Sequence, residues 1–293
     1  MAMRDLVRNN TTLRRLYYRA RLLRPRSEAD ERQILSRLAR GAPKTFVEFG
    51  FHPVEFNCID FAKDPSWSGL LIDCSKRQVD DARSLWPSRL EFVDTFLTLD
   101  NLDFIRNRFP RLGILSIDVD GNDYWFLKAL IAIEPTVISV EYNSTLGSEP
   151  ITVPYDASFD RHQKHPLGWY HGASLTALTK LCAQHGYGLA GGSDGSCNAF
   201  FTRDGKLEPR DVWKPKAARA QLSGIPHEGQ WDKIKHLPFV MQLPTSKIVF
   251  KLNLVNALVN RSAITTVLIP YAESPRQIGG FEIAIETILL TSC

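Results

Sequence analysis

Leu112–Asp118 reads LGILSID and Thr136–Tyr142 reads TVISVEY. Each is a short, nearly continuous apolar run that arrives at a carboxylate, Asp118 in the first and Glu141 in the second. A run without alternation is a strand buried on both faces. The stretch between them, passing through Trp125 and Leu130, has helical spacing, so the three pieces form a parallel βαβ unit. The same unit repeats toward the N-terminus. Thr45–Gly50 (TFVEFG), Gly69–Asp73 (GLLID) and Leu90–Asp94 (LEFVD) are three more buried strands. They are separated by helices starting near Pro53, running through Val79 and Ala82, and capped by Asp100.

Toward the C-terminus the rhythm changes. Asn143–Trp169 is a long polar insert, and a helix then runs from Ala173 to His185, closed by Gly186. Tyr187–Gly192 and Asn198–Arg203 flank the turn Ser193-Asp194-Gly195-Ser196, the pattern of a β-hairpin. A dehydrogenase-type Rossmann domain would add a parallel sixth strand instead. The expected architecture is therefore an α/β, Rossmann-like, seven-stranded sheet with helices on both faces and a closing antiparallel hairpin. N-terminal helices occupy residues 1–42, this domain residues 43–205, and a C-terminal extension residues 206–293, where KIVF, TTVLI and FEIAI are β-prone runs without a place.

Composition sets the outer bounds. The chain has 293 residues, 44% apolar and 23% charged, with a formal charge of +4, an ordinary soluble balance. It has no apolar run long enough to span a bilayer and no secretory leader pattern. The five scattered cysteines include no CxxC pair, so neither a zinc knuckle nor a disulfide framework is supported. A cytoplasmic protein is expected. Arg4, Arg8, Arg14, Arg15, Arg19, Arg21, Arg24 and Arg26 crowd the N-terminus against one acid, Asp5. Leu6, Leu13, Leu16, Tyr17 and Leu23 fall among them at near-helical spacing, giving a basic amphipathic helix. Such a helix packs on its own domain, rests peripherally on an anionic membrane or binds acidic saccharide carriers. A second helix starts at Ser27, with Asp30 three residues on, and ends at Gly41.

Glu48, Asp73, Asp94 and Asp118 all stand where strands end. In a doubly wound sheet the ligand lies outside those ends, near the point where strand order reverses. An acid after the second strand suits a ribose diol, and Asp73 holds that place. The turn Glu48-Phe49-Gly50-Phe51-His52-Pro53 offers one glycine rather than G-x-G-x-x-G, so a pyrophosphate cradle is missing. That disfavours NAD and FAD and favours a ligand without phosphates, such as S-adenosylmethionine. Ser116–Trp125 reads SIDVDGNDYW, and Glu141-Tyr142-Asn143 closes the next strand. Asp118, Asp120, Glu141 and Asn143 are therefore candidate oxygen ligands for Mg²⁺ or another divalent cation. In the competing reading Asp120 and Asp123 only cap the following helix. An EF-hand is excluded because the loop glycine is misplaced. His162, His165 and His171, in the segment expected to roof the cleft, are candidate bases beside Asp118.

SIDVDGNDYWFLKAL followed by PTVISVEYN resembles the core of FkbM-type and related class I S-adenosylmethionine-dependent methyltransferases, and GASLTAL, GYGLAGG and NAFFTRD continue the resemblance through Arg203. It implies that Glu48 and Gly50 lie beside the methionine moiety, Asp73 on the ribose and Asp94 near the adenine, with Phe51 and Asp118 also among the cofactor-binding residues. A more distant likeness to catechol-type methyltransferases places metal ligands at Asp118, Glu141 and Asn143. The bulky pair Phe51-His52 departs from the usual first turn. The expected reaction is O-methylation of a hydroxyl on a saccharide or natural-product-like small molecule, with no specific nucleic acid as partner; homo-oligomerisation is left open. Two alternatives stand beside it. One is a nucleotide-sugar glycosyltransferase using Asp118 and Asp120 as a D-x-D motif. The other is a catalytically inactive cofactor-binding partner subunit.

Overall fold

All seven expected strands form one sheet. A computed structural model describes residues 9–23 and 30–242 of the chain. The strands are β1 (Thr45–Phe49), β2 (Ser68–Asp73), β3 (Leu90–Asp94), β4 (Ile114–Ile117), β5 (Val137–Glu141), β7 (Gly188–Gly192) and β8 (Asn198–Thr202), with the short β6 (Ile151–Thr152) in the insert. Their order is β3-β2-β1-β4-β5-β8-β7. β1 to β5 run parallel, β8 pairs antiparallel with β5, and β7 pairs antiparallel with β8. This is the Rossmann-like arrangement with a closing hairpin. The parallel strands carry apolar side chains on both faces because each face has its own core. Val47, Leu70, Leu115 and Ile138 pack on one side; Phe46, Leu71, Ile114 and Val137 pack on the other.

The helices in chain order are α1 (Thr11–Leu22), α2 (Glu31–Leu38), α3 (Ile59–Lys63), α4 (Lys76–Leu85), α5 (Asp103–Arg106), α6 (Asp123–Leu130), α7 (Arg161–Lys164), α8 (Leu175–Gln184), α9 (Pro209–Val212), α10 (Ala217–Ser223) and α11 (His227–Asp232). Three depart from expectation for local reasons. α3 begins only at Ile59, not near Pro53, because His52–Glu55 closes a bridged turn first. Thr98 rather than Asp100 organises the chain after β3, sharing a reciprocal capping box with Asn101. α2 starts at Glu31; Ser27, its expected cap, lies outside the described residues.

α1 packs inside out. An amphipathic helix packed on its domain ordinarily buries its leucines, but Arg14 is the residue α1 buries, with Nε 2.5 Å from Asp81 Oδ2 on α4. Arg15 Nε reaches the other Asp81 oxygen at 3.0 Å, and Arg21 pairs with Glu55 at 3.0 Å. Leu13, Leu16, Tyr17 and Leu23 stay exposed.

Residues 206–242 fold onto the sheet domain. β9 (Val240–Met241) pairs antiparallel with β6, and Ile234 and Phe239 join Ile151, Val153, Trp169 and Tyr170 in a third small core over the insert. The runs KIVF, TTVLI and FEIAI lie outside the described residues. Among the described residues no helix is long and apolar enough to cross a membrane.

Candidate active site

Strand order reverses between β1 and β4, and the chain crosses itself there at closest range. Gly50 sits at φ +68°, and a Cβ on it would lie 1.7 Å from the carbonyl oxygen of Asp118. Left-handed backbone and that close approach together require glycine. A cleft opens on each side of this crossing. The first lobe, about 680 Å³ of open space, is lined by Gly50, Asp73, Thr95, Phe96, Leu97, Asp118 and Phe126. The second, about 730 Å³, is lined by Glu48, Gly50, His52, Glu55, Asn57, Asp118 and Asn198. Gly50 and Asp118 border both. An elongated ligand lying across the strand ends therefore has its middle at Gly50 and Asp118.

The expected cofactor residues divide by position. Asp73 lines the first lobe; its Oδ1 accepts the Ser75 amide at 2.6 Å. Burial raises its pKa, with backbone hydrogen bonds from Ser75 and Phe51 opposing. Asp94 is exposed at the end of β3 and lies outside the lining of both lobes; Thr95, Phe96 and Leu97 hold the position expected for the adenine. Phe51 also lies outside both linings, packed into the core against Phe56 and Phe92. Glu48 is buried, and its two carboxylate oxygens accept the amides of Asn57 at 2.7 Å and Cys58 at 2.8 Å. Those amides belong to the cap residue of α3 and the residue before it, so a protein carboxyl occupies the approach to that helix.

The expected metal ligands also separate. Asp118, Asp123 and Glu141 each offer an oxygen within 4.8 Å of the others. Asp120 has left-handed φ of 57° and turns outward to the guanidinium of Arg161. Asn143 is committed to structure: its Nδ2 donates to the carbonyls of Trp169 at 2.7 Å and His171 at 2.9 Å, and Arg219 donates to its Oδ1 at 2.8 Å. Asp123 clusters and fastens the loop before α6 rather than capping the helix, since its two oxygens accept the amides of Val119 and Gly121, each at 2.9 Å. Burial, with the charges of Asp120 and Asp123 next, pushes Glu141 up to about 8. Burial likewise pushes Asp123 up to about 6.

None of the three candidate histidines lines either lobe. His162 sits on α7, where Asp160 caps its amide at 2.8 Å, and His165 stacks on Trp169. His171 is buried, and its Nε2 lies 3.2 Å from Arg161 Nη2 and 3.1 Å from Arg219 Nη2. Arginine only donates, so Nε2 accepts and the proton sits on Nδ1, 3.7 Å from Glu141 Oε2. Burial and the adjoining cations hold this imidazole neutral, well below its ordinary pKa.

No protein-family model matches the chain, and no curated protein matches it in sequence. Solved structures are similar to it in fold. A Klebsiella pneumoniae chain assigned as an O-methyltransferase is 15% identical, with 68% of this chain covering 93% of that one at a TM-score of 0.42. An O-methyltransferase from Bacillus cereus in complex with SAH is 17% identical, with coverage of 65% and 88% and a TM-score of 0.42. A TehB-like SAM-dependent methyltransferase from Corynebacterium glutamicum is 10% identical, with coverage of 66% and 97% and a TM-score of 0.36. Likenesses of this size assign no residue a role, so the chemistry follows from this chain's own side chains.

Sequence reasoning missed Asp123, Asn57, Asn198 and the Thr95–Leu97 edge. Asn198 opens β8 opposite Glu141, and its Oδ1 is buried without a hydrogen-bond partner at the wall of the second lobe. Its position at the head of a hairpin strand was the available signal. Glu48 yields a further expected result. Burial pushes its carboxyl up to about 7 against the pull of the Cys58 and Asn57 amides. The unfolded chain releases that proton near the ordinary carboxyl value, so folding stability should fall as pH rises from about 4.5 to about 7. Asp123 and Glu141 act in the same direction. Urea midpoints measured across that range should flatten in Glu48→Gln relative to the parent.

Proposed function

We propose that the protein is an S-adenosylmethionine-dependent methyltransferase acting on a hydroxyl of a saccharide or natural-product-like small molecule. The observation that carries this reading is the two-lobed cleft meeting at Gly50 and Asp118, with the Glu48 carboxyl occupying the approach to α3. The side chains present suit the cofactor along its length. Ile72, Phe96, Leu97 and Phe126 give the first lobe an apolar wall for an adenine. Asp73 is placed to accept from a ribose diol. The acceptor atoms of Glu55 and the unpartnered Asn198 Oδ1 suit an ammonium in the second lobe.

When bound, the cofactor supplies a sulfonium methyl group that transfers to an attacking oxygen. The protein's task is to align that oxygen and take its proton. Asp118 is the carboxylate beside the junction of the lobes, and in this reading it holds the acceptor hydroxyl and receives the proton. His162, His165 and His171 do not reach the cleft, which leaves the base role with the acids.

The acids also fit a hard divalent cation. Asp118 in the loop after β4, Asp123 at the start of α6 and Glu141 at the end of β5 converge, and Glu141 Oε2 is buried without a hydrogen-bond partner. Three oxygen donors of this kind suit Mg²⁺, which when bound lowers the pKa of an acceptor hydroxyl. In this form of the proposal Asp123 takes the place the sequence reading gave to Asp120 and Asn143.

Heat stabilisation separates the methyltransferase from a nucleotide-sugar enzyme. A ligand at one hundred times its Kd stabilises by about 2.7 kcal/mol. S-adenosylhomocysteine should raise the unfolding temperature of the full chain, and UDP should leave it unchanged. The reverse pattern would restore the D-x-D reading of Asp118 and Asp120. Stabilisation by S-adenosylhomocysteine with no methyl transfer to any hydroxyl acceptor would instead favour an inactive partner subunit.

A further inference from the structure

α1 is attached to the domain by its polar side and presents its apolar side outward. Arg14 is buried on Asp81, Arg15 shares that carboxylate, Arg21 pairs with Glu55, and Tyr18 OH lies 3.3 Å from His52 Nε2. The opposite side shows Leu16 at 53% exposure, Tyr17 at 47% and, just past the helix, Leu23 at 83%. A helix that folded only to cover its own domain would bury these residues and leave its arginines in water. The arrangement is the reverse, so the apolar stripe is left for something other than the described fold.

The surrounding charge says what that is. Between residues 4 and 26 the chain carries eight arginines and one acid. Of these, Arg19 is exposed on α1. Where α1 meets α4, a notch of about 600 Å³ is lined by Arg14, Arg15, Lys76 and Arg77, with Asp80 and Asp81 as its acids. Arg77 is exposed there. Outward leucines and a tyrosine bordered by exposed cations are the composition of a face that lies in the headgroup region of an anionic bilayer, apolar residues inserted and cations at the phosphates.

We propose that the outer face of α1, with the cationic notch beside it, docks the protein on an anionic lipid surface. The face adjoins the cleft, because two of the residues that α1 grips, His52 and Glu55, line the second lobe. Docking there brings the cleft beside the membrane and favours acceptors presented at its surface. The surface rests on α1 and the start of α4 and holds whatever reaction the cleft performs.

The test uses the full chain and sedimentation with vesicles. Vesicles of phosphatidylcholine with phosphatidylglycerol should carry the protein down, vesicles of phosphatidylcholine alone should not, and added salt should release it. Leu16→Glu with Leu23→Glu should weaken binding about tenfold or more. Both residues are exposed, so the unfolding temperature of that variant and its response to S-adenosylhomocysteine should match the parent. Arg77→Glu should weaken binding while leaving the apolar stripe intact. The proposal is overturned by the absence of binding to anionic vesicles or by a double variant that binds as well as the parent. It is also overturned if the double variant loses thermal stability, which would show that another part of the chain covers the face. A parent dimer that becomes monomeric in the double variant would assign the face to a second copy and likewise overturn it.

Discussion

Gly50→Ala should give a chain that folds less stably and barely binds S-adenosylhomocysteine. Two independent costs fall on one atom. Left-handed backbone in a residue with a Cβ costs about 1–2 kcal/mol, and Gly50 has φ +68°. The added Cβ would lie 1.7 Å from the Asp118 carbonyl oxygen, a contact with backbone, so no side chain can rotate away. Forcing a carbon into a packed position costs about another 1–3 kcal/mol. Relief requires β1 and the loop after β4 to separate, and that movement displaces Asp118, the residue bordering both lobes. A lowered urea midpoint and at least about tenfold weaker calorimetric binding are expected, since 1.4 kcal/mol corresponds to tenfold. A variant as stable as the parent would show that the crossing is not tight.

Asp118→Ala should produce the largest loss of turnover. If Asp118 holds the acceptor hydroxyl and takes its proton, removing it should lower the rate by about 100-fold or more while weakening cofactor binding much less. Glu141→Gln should lower turnover as well, because Glu141 faces Asp118 within the acid cluster. EDTA should stop transfer and Mg²⁺ should restore it if the cluster holds a cation. Asp123→Ala is the informative control. Its oxygens tie down the amides of Val119 and Gly121, so this variant should lose stability together with activity, unlike Asp118→Ala. Full activity in EDTA would remove the cation and leave Asp118 as the base. Activity in both Asp118→Ala and Glu141→Gln would remove the acid cluster from the reaction.

The sheet was legible because burial on both faces leaves a signature that no tertiary contact overrides. Within LGILSID and TVISVEY the only polar residues before the closing acids are Thr136 at the start and the small, fully buried Ser116 and Ser139, so neither run alternates between a wet and a dry face. The hairpin was legible for the same reason that NAFFT is apolar: β8 lies between β5 and β7 inside the sheet. The site was only partly legible. Strand-end acids located the cleft, but spacing does not say which acids of Asp118-Val119-Asp120-Gly121-Asn122-Asp123 turn inward. That is decided by the left-handed residue at Asp120, which directs its side chain to Arg161 and returns Asp123 to the cluster. Glu48 looked like a ligand contact because its use of the Asn57 and Cys58 amides depends on a turn the sequence does not mark. α1 was legible only in part, for a different reason. Helical periodicity reports that two faces differ, not which one the domain takes, and buried Asp81 reversed the usual choice. Residues 206–242 were illegible because their apolar residues are few and are buried against the insert rather than in a repeating element.

The most direct test of the account is calorimetric titration of S-adenosylhomocysteine into the full chain and into Asp73→Ala. A hydrogen bond to a charged group contributes about 1.5–3 kcal/mol. The parent chain should therefore bind at one site, and Asp73→Ala should bind about tenfold or more weakly, with unchanged circular dichroism. A parent chain that does not bind S-adenosylhomocysteine, or an Asp73→Ala chain that binds with the parent's affinity, would contradict the placement of this cofactor across the ends of β1, β2 and β4.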